Sequence, residues 1–464
     1  MKPKELRNLN CPGNVFPGEF PAAPNTTIMK ITFTLKKSAS LILSVACLLA
    51  SSAHATTSTN LLPNNWIDPD TGHRIIRIST EPGSASFYFH QEMFTPQGDK
   101  MVFDTPSGIA VVAVESLKAG PPKINILVSN VSAIETARRT RDVYFRQDGW
   151  LCAANVDTGK VRKITQTRCI AINCDETFVV NTIDAEDPTG KTPKPAPRVI
   201  LPQHERMFPG IDITNLTPEQ AAAARKEDSL ARRLVNPRCM AFVFTDLRTG
   251  ISVTNGFQYA WLNHLQFSPT DPNVLLYCHE GTWHENDRVW TIRTDGSEQR
   301  LMHARTMDME IAGHEWWSHD GKIIWFDLQT PRSQDFWIAG VNVKTGRETC
   351  YHLDRDWWSV HYNSSWDGKL FAGDGGDSGQ VAYAKDGMWM NLFRPQRDGS
   401  ITGERLFNMS GNNYVTGDGG IEPNCHITPD NKWVIFRANF QGQLNVYAVE
   451  IARSQVKLGL AAAH

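Results

Sequence analysis

The chain has 464 residues, with 47 basic and 49 acidic side chains and a net charge of −2. That balance leaves no basic footprint for nucleic acid, so an anionic ligand must be met by a local cluster of positive charge. Hydrophobic residues at 41% and charged residues at 21% are ordinary globular composition.

The N-terminal region reads as a targeting segment. From Met29 the chain runs Met-Lys-Ile-Thr-Phe-Thr-Leu-Lys-Lys, then an apolar stretch around Leu41–Ala50, then Ala53-His54-Ala55. A basic start, a short apolar run and an Ala-x-Ala site make a secretory signal peptide. The apolar run is too short to span a membrane. Residues 1–55 are therefore set aside, with Met29 as the expected start and Thr56 opening a mature, periplasmic or secreted chain that has no membrane attachment. The mature chain keeps Cys152, Cys169, Cys174, Cys239, Cys278, Cys350 and Cys425. No CxxC pair occurs, which argues against a structural zinc site. Most of these cysteines read as small buried hydrophobes, and a Cys169–Cys174 bridge stays open.

From residue 90 onward one device recurs. An apolar strand meets a Pro/Asp/Gly turn and another apolar strand follows, first in Phe94-Thr-Pro-Gln-Gly-Asp-Lys-Met-Val-Phe103. A second turn type, Val156-Asp-Thr-Gly159, sits between such hairpins. Then comes an excursion over about residues 186–237. It holds Thr217 as a helix N-cap, Pro218 at the first helical position and an Ala/Glu/Lys run, which predicts an inserted helix. The two turn types resume in Thr245-Asp-Leu-Arg-Thr-Gly250, Phe267-Ser-Pro, Thr294-Asp-Gly296, Trp317-Ser-His-Asp-Gly, Val343-Lys-Thr-Gly346, Ser365-Trp-Asp-Gly and Ile427-Thr-Pro-Asp. Two hairpins per unit make four strands, and late units recur at roughly 48 to 62 residues. The expectation is an all-β, seven-bladed propeller filling 56–464 as one domain, with units opening near His90, Val143, Cys169, His264, His314, His361 and His426. A β-sandwich does not explain the regular four-strand repeat.

Five of those units open on histidine: His90, His264, His314, His361 and His426. First strands of propeller blades line the central channel, so a shared register gathers these imidazoles around one pocket. With acidic neighbours Glu92, Glu280, Glu315 and Glu422, such a ring suits a borderline transition metal such as manganese, zinc or iron. Strand alternation puts Glu422, Asn424 and His426 on one face. A non-enzymatic periplasmic propeller that binds a glycan or protein partner explains the turns and the export. It does not explain the histidines. A propeller joined to a serine peptidase fails for lack of a G-x-S-x-G elbow.

Phe89-His-Gln91, Asn263-His-Leu-Gln-Phe-Ser-Pro269, Tyr277-Cys-His-Glu-Gly281 and Gly313-His-Glu-Trp316 together resemble the oligogalacturonate lyases. So do Asp68-Pro-Asp-Thr-Gly-His73 and Gly373-Asp-Gly-Gly-Asp377, and the likeness runs from about Asp68 to Ile451. The resemblance implies a seven-bladed propeller that splits short, often unsaturated, galacturonate oligomers from pectin by β-elimination and uses Mn2+. It implies His264 as the base, Arg238 as the catalytic arginine and His314 as a metal ligand. Glu422, His426 and His361 complete the expected metal set, and His90, Gln91, His279 and Glu280 are expected at the substrate. In strict register Glu422 and Asn424 stand where the family carries two histidines. The chemistry suits these residue types. The C5–H of a uronate is weakly acidic, a cation on its carboxylate stabilises the developing enolate, and a neutral histidine takes the proton.

Overall fold

The computed structural model describes residues 63–377, 379–414 and 421–454. The expected signal peptide and the Thr56 start lie outside the described residues. Among the described residues, twenty-eight strands form seven sheets, one per blade. Blade 7 joins the two ends of the described chain: His73–Arg77 pairs with Asn445–Arg453, beside Trp433–Ala438 and the inner strand His426–Ile427. Blades 4, 5 and 6 each follow chain order outward from inner strands Trp261–Phe267, Ile311–Trp317 and Tyr362–Ser364. The second blade opens at Ala133–Thr136 and not near Val143, which lies in its next strand, Asp142–Gln147.

The inner strand of blade 1 is irregular. Residues 85–94 form isolated β-bridges with their neighbour strand only at Ala85–Asp104 and Phe94–Met101 among the described residues. Between those anchor points Tyr88-Phe89-His90-Gln91 leaves the sheet and enters the channel. Every residue of Ile311–Trp317 is buried, because an inner strand is covered by the channel filling and by both neighbouring blades. Outer strands such as Val161–Thr165 are mostly exposed. The apolar core therefore lies between blades, as where Val102 and Phe103 of blade 1 join Trp433 and Ile435 of blade 7.

The recurring turn has a chemical basis. A hydroxyl residue closes each of these inner strands, and its Oγ donates to an Asp further along the turn: Thr95 to Asp99 at 2.6 Å, and Ser318 to Asp320, Ser365 to Asp367 and Thr428 to Asp430 at 2.8 Å each. In blade 4 Ser268 instead accepts from the Thr270 and Asp271 amides. This side-chain mimicry of a backbone turn holds each first hairpin in register.

The excursion between strands Phe178–Asp184 and Cys239–Asp246 holds α1 (Gln203–Met207) and α2 (Pro218–Val235). Thr217 and Gln220 form a reciprocal capping box at the start of α2. Leu230 packs on Trp283 and Ile311, so α2 sits over blades 4 and 5. The close approach needs a glycine: a Cβ on Gly281 would lie 2.5 Å from a Leu234 methyl carbon.

Candidate functional site

Counting back four residues from the turn hydroxyl locates the inner-channel position in blades 4 to 7. His264, His314, His361 and Asn424 occupy it. In blades 4 and 5 the first two strands lose register there, with His264–Leu265 and His314–Glu315 each set against a single partner residue. His264, His314 and Asn424 take positive φ, at 51°, 42° and 53°. Such a bulge re-aims side chains at the cost of strained backbone. Three of the five histidines thus share the expected register. His426 lies two residues further toward the turn, and left-handed Asn424 breaks the alternation that would have put Glu422, Asn424 and His426 on one face.

Each of the three histidines gives Nδ1 to a carboxylate. His264 meets Glu315 at 3.1 Å, His314 meets Asp327 at 3.0 Å and His361 meets Asp374 at 2.8 Å. That arrangement puts the proton on Nδ1 and leaves Nε2 as the basic nitrogen. Glu315 is fully buried. Burial alone would raise its pKa, but His264 and the nearby Arg288 hold it at about 2. Arg288, itself fully buried, is paired with Glu280 at 2.7 Å.

His314 and His361 lie with ring centroids 4.4 Å apart, and Glu422 comes within 3.6 Å of His361 Nε2. That buried nitrogen has no hydrogen-bond partner among the described residues. Burial and the neighbouring His361 keep His314 well below its usual pKa. Burial would lower His361 too, but Asp374 and Glu422 outweigh it and raise it. Two imidazoles oriented by carboxylates, a ring nitrogen without a hydrogen bond among the described residues and the Glu422 carboxylate beside it fit a divalent cation. Trp283 closes this corner, 4.7 Å from the His314 ring, and packs where only Gly313 leaves room, since a Cβ there would come within 2.3 Å of the indole. A second cluster, His264, Cys278 and Glu315, has ligand atoms within 4.8 Å of one another. There Arg288 Nη2 lies 3.6 Å from Cys278 Sγ, so a cation already occupies that neighbourhood and a second is disfavoured.

The other expected residues are placed differently. His426 donates Nε2–H to the Phe87 carbonyl at 3.2 Å and, with His90, lines a chamber beside Glu92 and Arg138, the His90 ring lying 5.9 Å from that of His264. Phe89 is stacked on His361 at 4.9 Å, with its ring 5.2 Å from that of His90. Gln91 is bonded to the Tyr88 amide and the Ile134 carbonyl. His279 bonds Gln258 at 2.7 Å and stacks on Trp290, inside blade 4. Glu280 is held by Arg288. Arg238 is half exposed on the rim, ion-paired with Asp184 at 2.8 Å and lying over Trp261. Sequence reasoning missed Asp327, Asp374 and Arg288. Asp374 stood inside the Gly373-Asp-Gly motif without a partner to give it a role. Asp327 becomes visible only once its strand is paired opposite Gly313.

Comparison with known proteins bears on the fold and on the family that the chain resembles. A family model described as oligogalacturonate lyase matches residues 226–455. The oligogalacturonide lyase of Pectobacterium atrosepticum is 26% identical over 231 residues, which is 47% of this chain and 57% of that protein. The oligogalacturonate lyase of Dickeya dadantii is 27% identical over 233 residues, with the same shares. The match thus spans little more than half the length of these curated relatives. Two solved structures share the fold at 20% identity and a TM-score of 0.63, each covering 84% of this chain and 96% of the other. One is an oligogalacturonate lyase in complex with manganese, the other an oligogalacturonate lyase from Vibrio parahaemolyticus. Residues 226–455 match the oligogalacturonate lyase family model, and the seven-bladed propeller has the fold of the solved oligogalacturonate lyases.

Proposed function

We propose that the protein is an oligogalacturonate lyase that cleaves short galacturonate oligomers, unsaturated ones included, by β-elimination. The observation that carries the reading is the His264–Glu315 pair at 3.1 Å, within the matched stretch 226–455. His264 Nε2 takes the C5 proton. The C–H electrons become the C4–C5 double bond, the C4–oxygen bond breaks with its electron pair leaving on oxygen, and the leaving oxygen takes a proton from solvent. Buried Glu315 stabilises the imidazolium that forms and fixes the ring meanwhile.

His314, His361 and Glu422 would hold a divalent cation, and manganese is favoured by the complex known for a protein of the same fold. When bound, that ion supplies positive charge against the negative charge developing on the uronate carboxylate. Arg238 keeps a place on the rim. It lies over Trp261, three residues before His264 in the same strand and so about 10 Å away. Its bond to exposed Asp184 is of a kind that contributes little, so an incoming carboxylate can compete for it. The signal peptide read over residues 29–55 puts this activity in the periplasm or outside the cell, and N-terminal sequencing of periplasmic material tests that.

The enzymatic test is incubation with digalacturonate and its unsaturated analogue, with and without manganese. Appearance of an unsaturated product by ultraviolet absorbance supports the reading. Stoichiometric absence of metal together with absence of product returns the protein to the class of non-enzymatic propellers.

A further inference from the structure

The corner around His314 and Glu422 is walled partly by groups the proposed mechanism leaves unused. Lys226 and Glu227 come from α2, and Arg332 comes from the hairpin joining Ile323–Gln329 to Phe336–Asn342. Glu227 is buried and accepts from Arg332 at 2.9 Å and from the Trp283 amide at 3.4 Å. Arg332 is also bonded to His284 Nδ1 at 3.1 Å. These two residues are thereby committed to tying the helix to the blade, beside the indole that covers His314.

Lys226 is in the opposite situation. It is exposed, it lines the same corner as His314 and Glu422, and it forms no salt bridge among the described residues. An ammonium on a flexible stem beside an anchored residue can follow a ligand while its helix stays fixed. With a net charge of only −2, the global field gives no help in gathering an anion, so selectivity for one must come from a local cation.

We infer that Lys226 is a specificity-determining residue of this site: it binds the carboxylate of a uronate unit lying over His314 and Glu422, and α2 carries it there. The inference rests on the proposed lyase reading for the identity of the ligand. It makes the inserted helix a part of substrate recognition and predicts discrimination against methyl-esterified units, whose carboxyl carries no charge.

The probe is galacturonate, which has no glycosidic bond to cleave, compared with its methyl ester by NMR titration of the full chain. Lys226→Ala should weaken galacturonate about tenfold and leave the ester unchanged, while Lys226→Arg stays within about threefold of the parent. With digalacturonate the loss should appear in KM. Equal binding of galacturonate to the parent and to Lys226→Ala overturns the inference. So does an equal loss for acid and ester, which would mark a structural role, or a parent protein that does not prefer the acid. Discrimination by Lys226 in a protein that yields no unsaturated product would sink the lyase reading and leave this inference standing.

Discussion

Glu315→Gln isolates the charge that orients His264, the proposed base. Glutamine keeps the shape, so no cavity opens, and its oxygen can still accept from His264 Nδ1. What disappears is the ionised acceptor, now 3.1 Å away and fully buried. Bonds to charged groups contribute about 1.5–3 kcal/mol and neutral ones about 0.5–1.5 kcal/mol. The difference of about 1–1.5 kcal/mol is close to tenfold in rate. The imidazolium formed as the proton is taken also loses its counter-charge, so kcat should fall at least about tenfold while KM moves little. Arg288 keeps Glu280 at 2.7 Å, which preserves the surrounding network. Initial rates followed by ultraviolet absorbance of the unsaturated product, with a thermal melt to certify folding, make the assay. A folded Glu315→Gln protein with kcat within about twofold of the parent would refute the role given to this pair.

Other expectations follow from the same geometry. His314→Ala and His361→Ala should each lower manganese affinity in calorimetry, whereas His426→Ala should leave it unchanged, because His426 is bonded to the Phe87 carbonyl. Gly313→Ala drives a methyl to 2.3 Å from Trp283, so it should cost about 1–3 kcal/mol in urea unfolding and weaken metal binding by displacing the indole from His314. Thr217→Ala removes the capping box of α2 and should cost about 1 kcal/mol locally, read as faster amide exchange in that helix. His303 is buried between Glu310 and Glu348, each 2.7 Å away, and although burial opposes its charge the carboxylates raise its pKa to about 9. The folded value lies above the unfolded ~6.5, so the stabilisation is complete below about pH 6.5 and is lost as pH rises through about 9. At ~1.4 kcal/mol per pH unit this amounts to roughly 3 kcal/mol. Unfolding free energies measured across that window should fall in the parent and run flat in His303→Gln.

The propeller is legible in the sequence because the hydroxyl-closed turn recurs at each of several inner strands, and its Ser or Thr and Asp are visible as letters. The inserted helix is legible for a similar reason, since Thr217, Pro218 and Gln220 are a local signal that needs no tertiary partner. The site is less so. Period-two alternation groups Glu422 with His426, but positive φ at Asn424 redirects the chain between them, and the bulges at His264 and His314 have no signature in residue type. His90 sits in an inner stretch that leaves its sheet, so its place cannot be counted along a strand. Asp327 and Asp374 reach their histidines only across strand pairs. Arg238 was singled out by resemblance, and its rim position over Trp261 depends on how the inserted segment rejoins its blade.

The most direct test of the central claim is His264→Ala assayed with digalacturonate and manganese, alongside its metal content. The account predicts no unsaturated product and a metal content equal to the parent's, because His264 is bonded to Glu315 and is not one of the His314, His361 and Glu422 set. Retained product formation would contradict the assignment of the base, and loss of metal together with activity would make His264 a ligand instead.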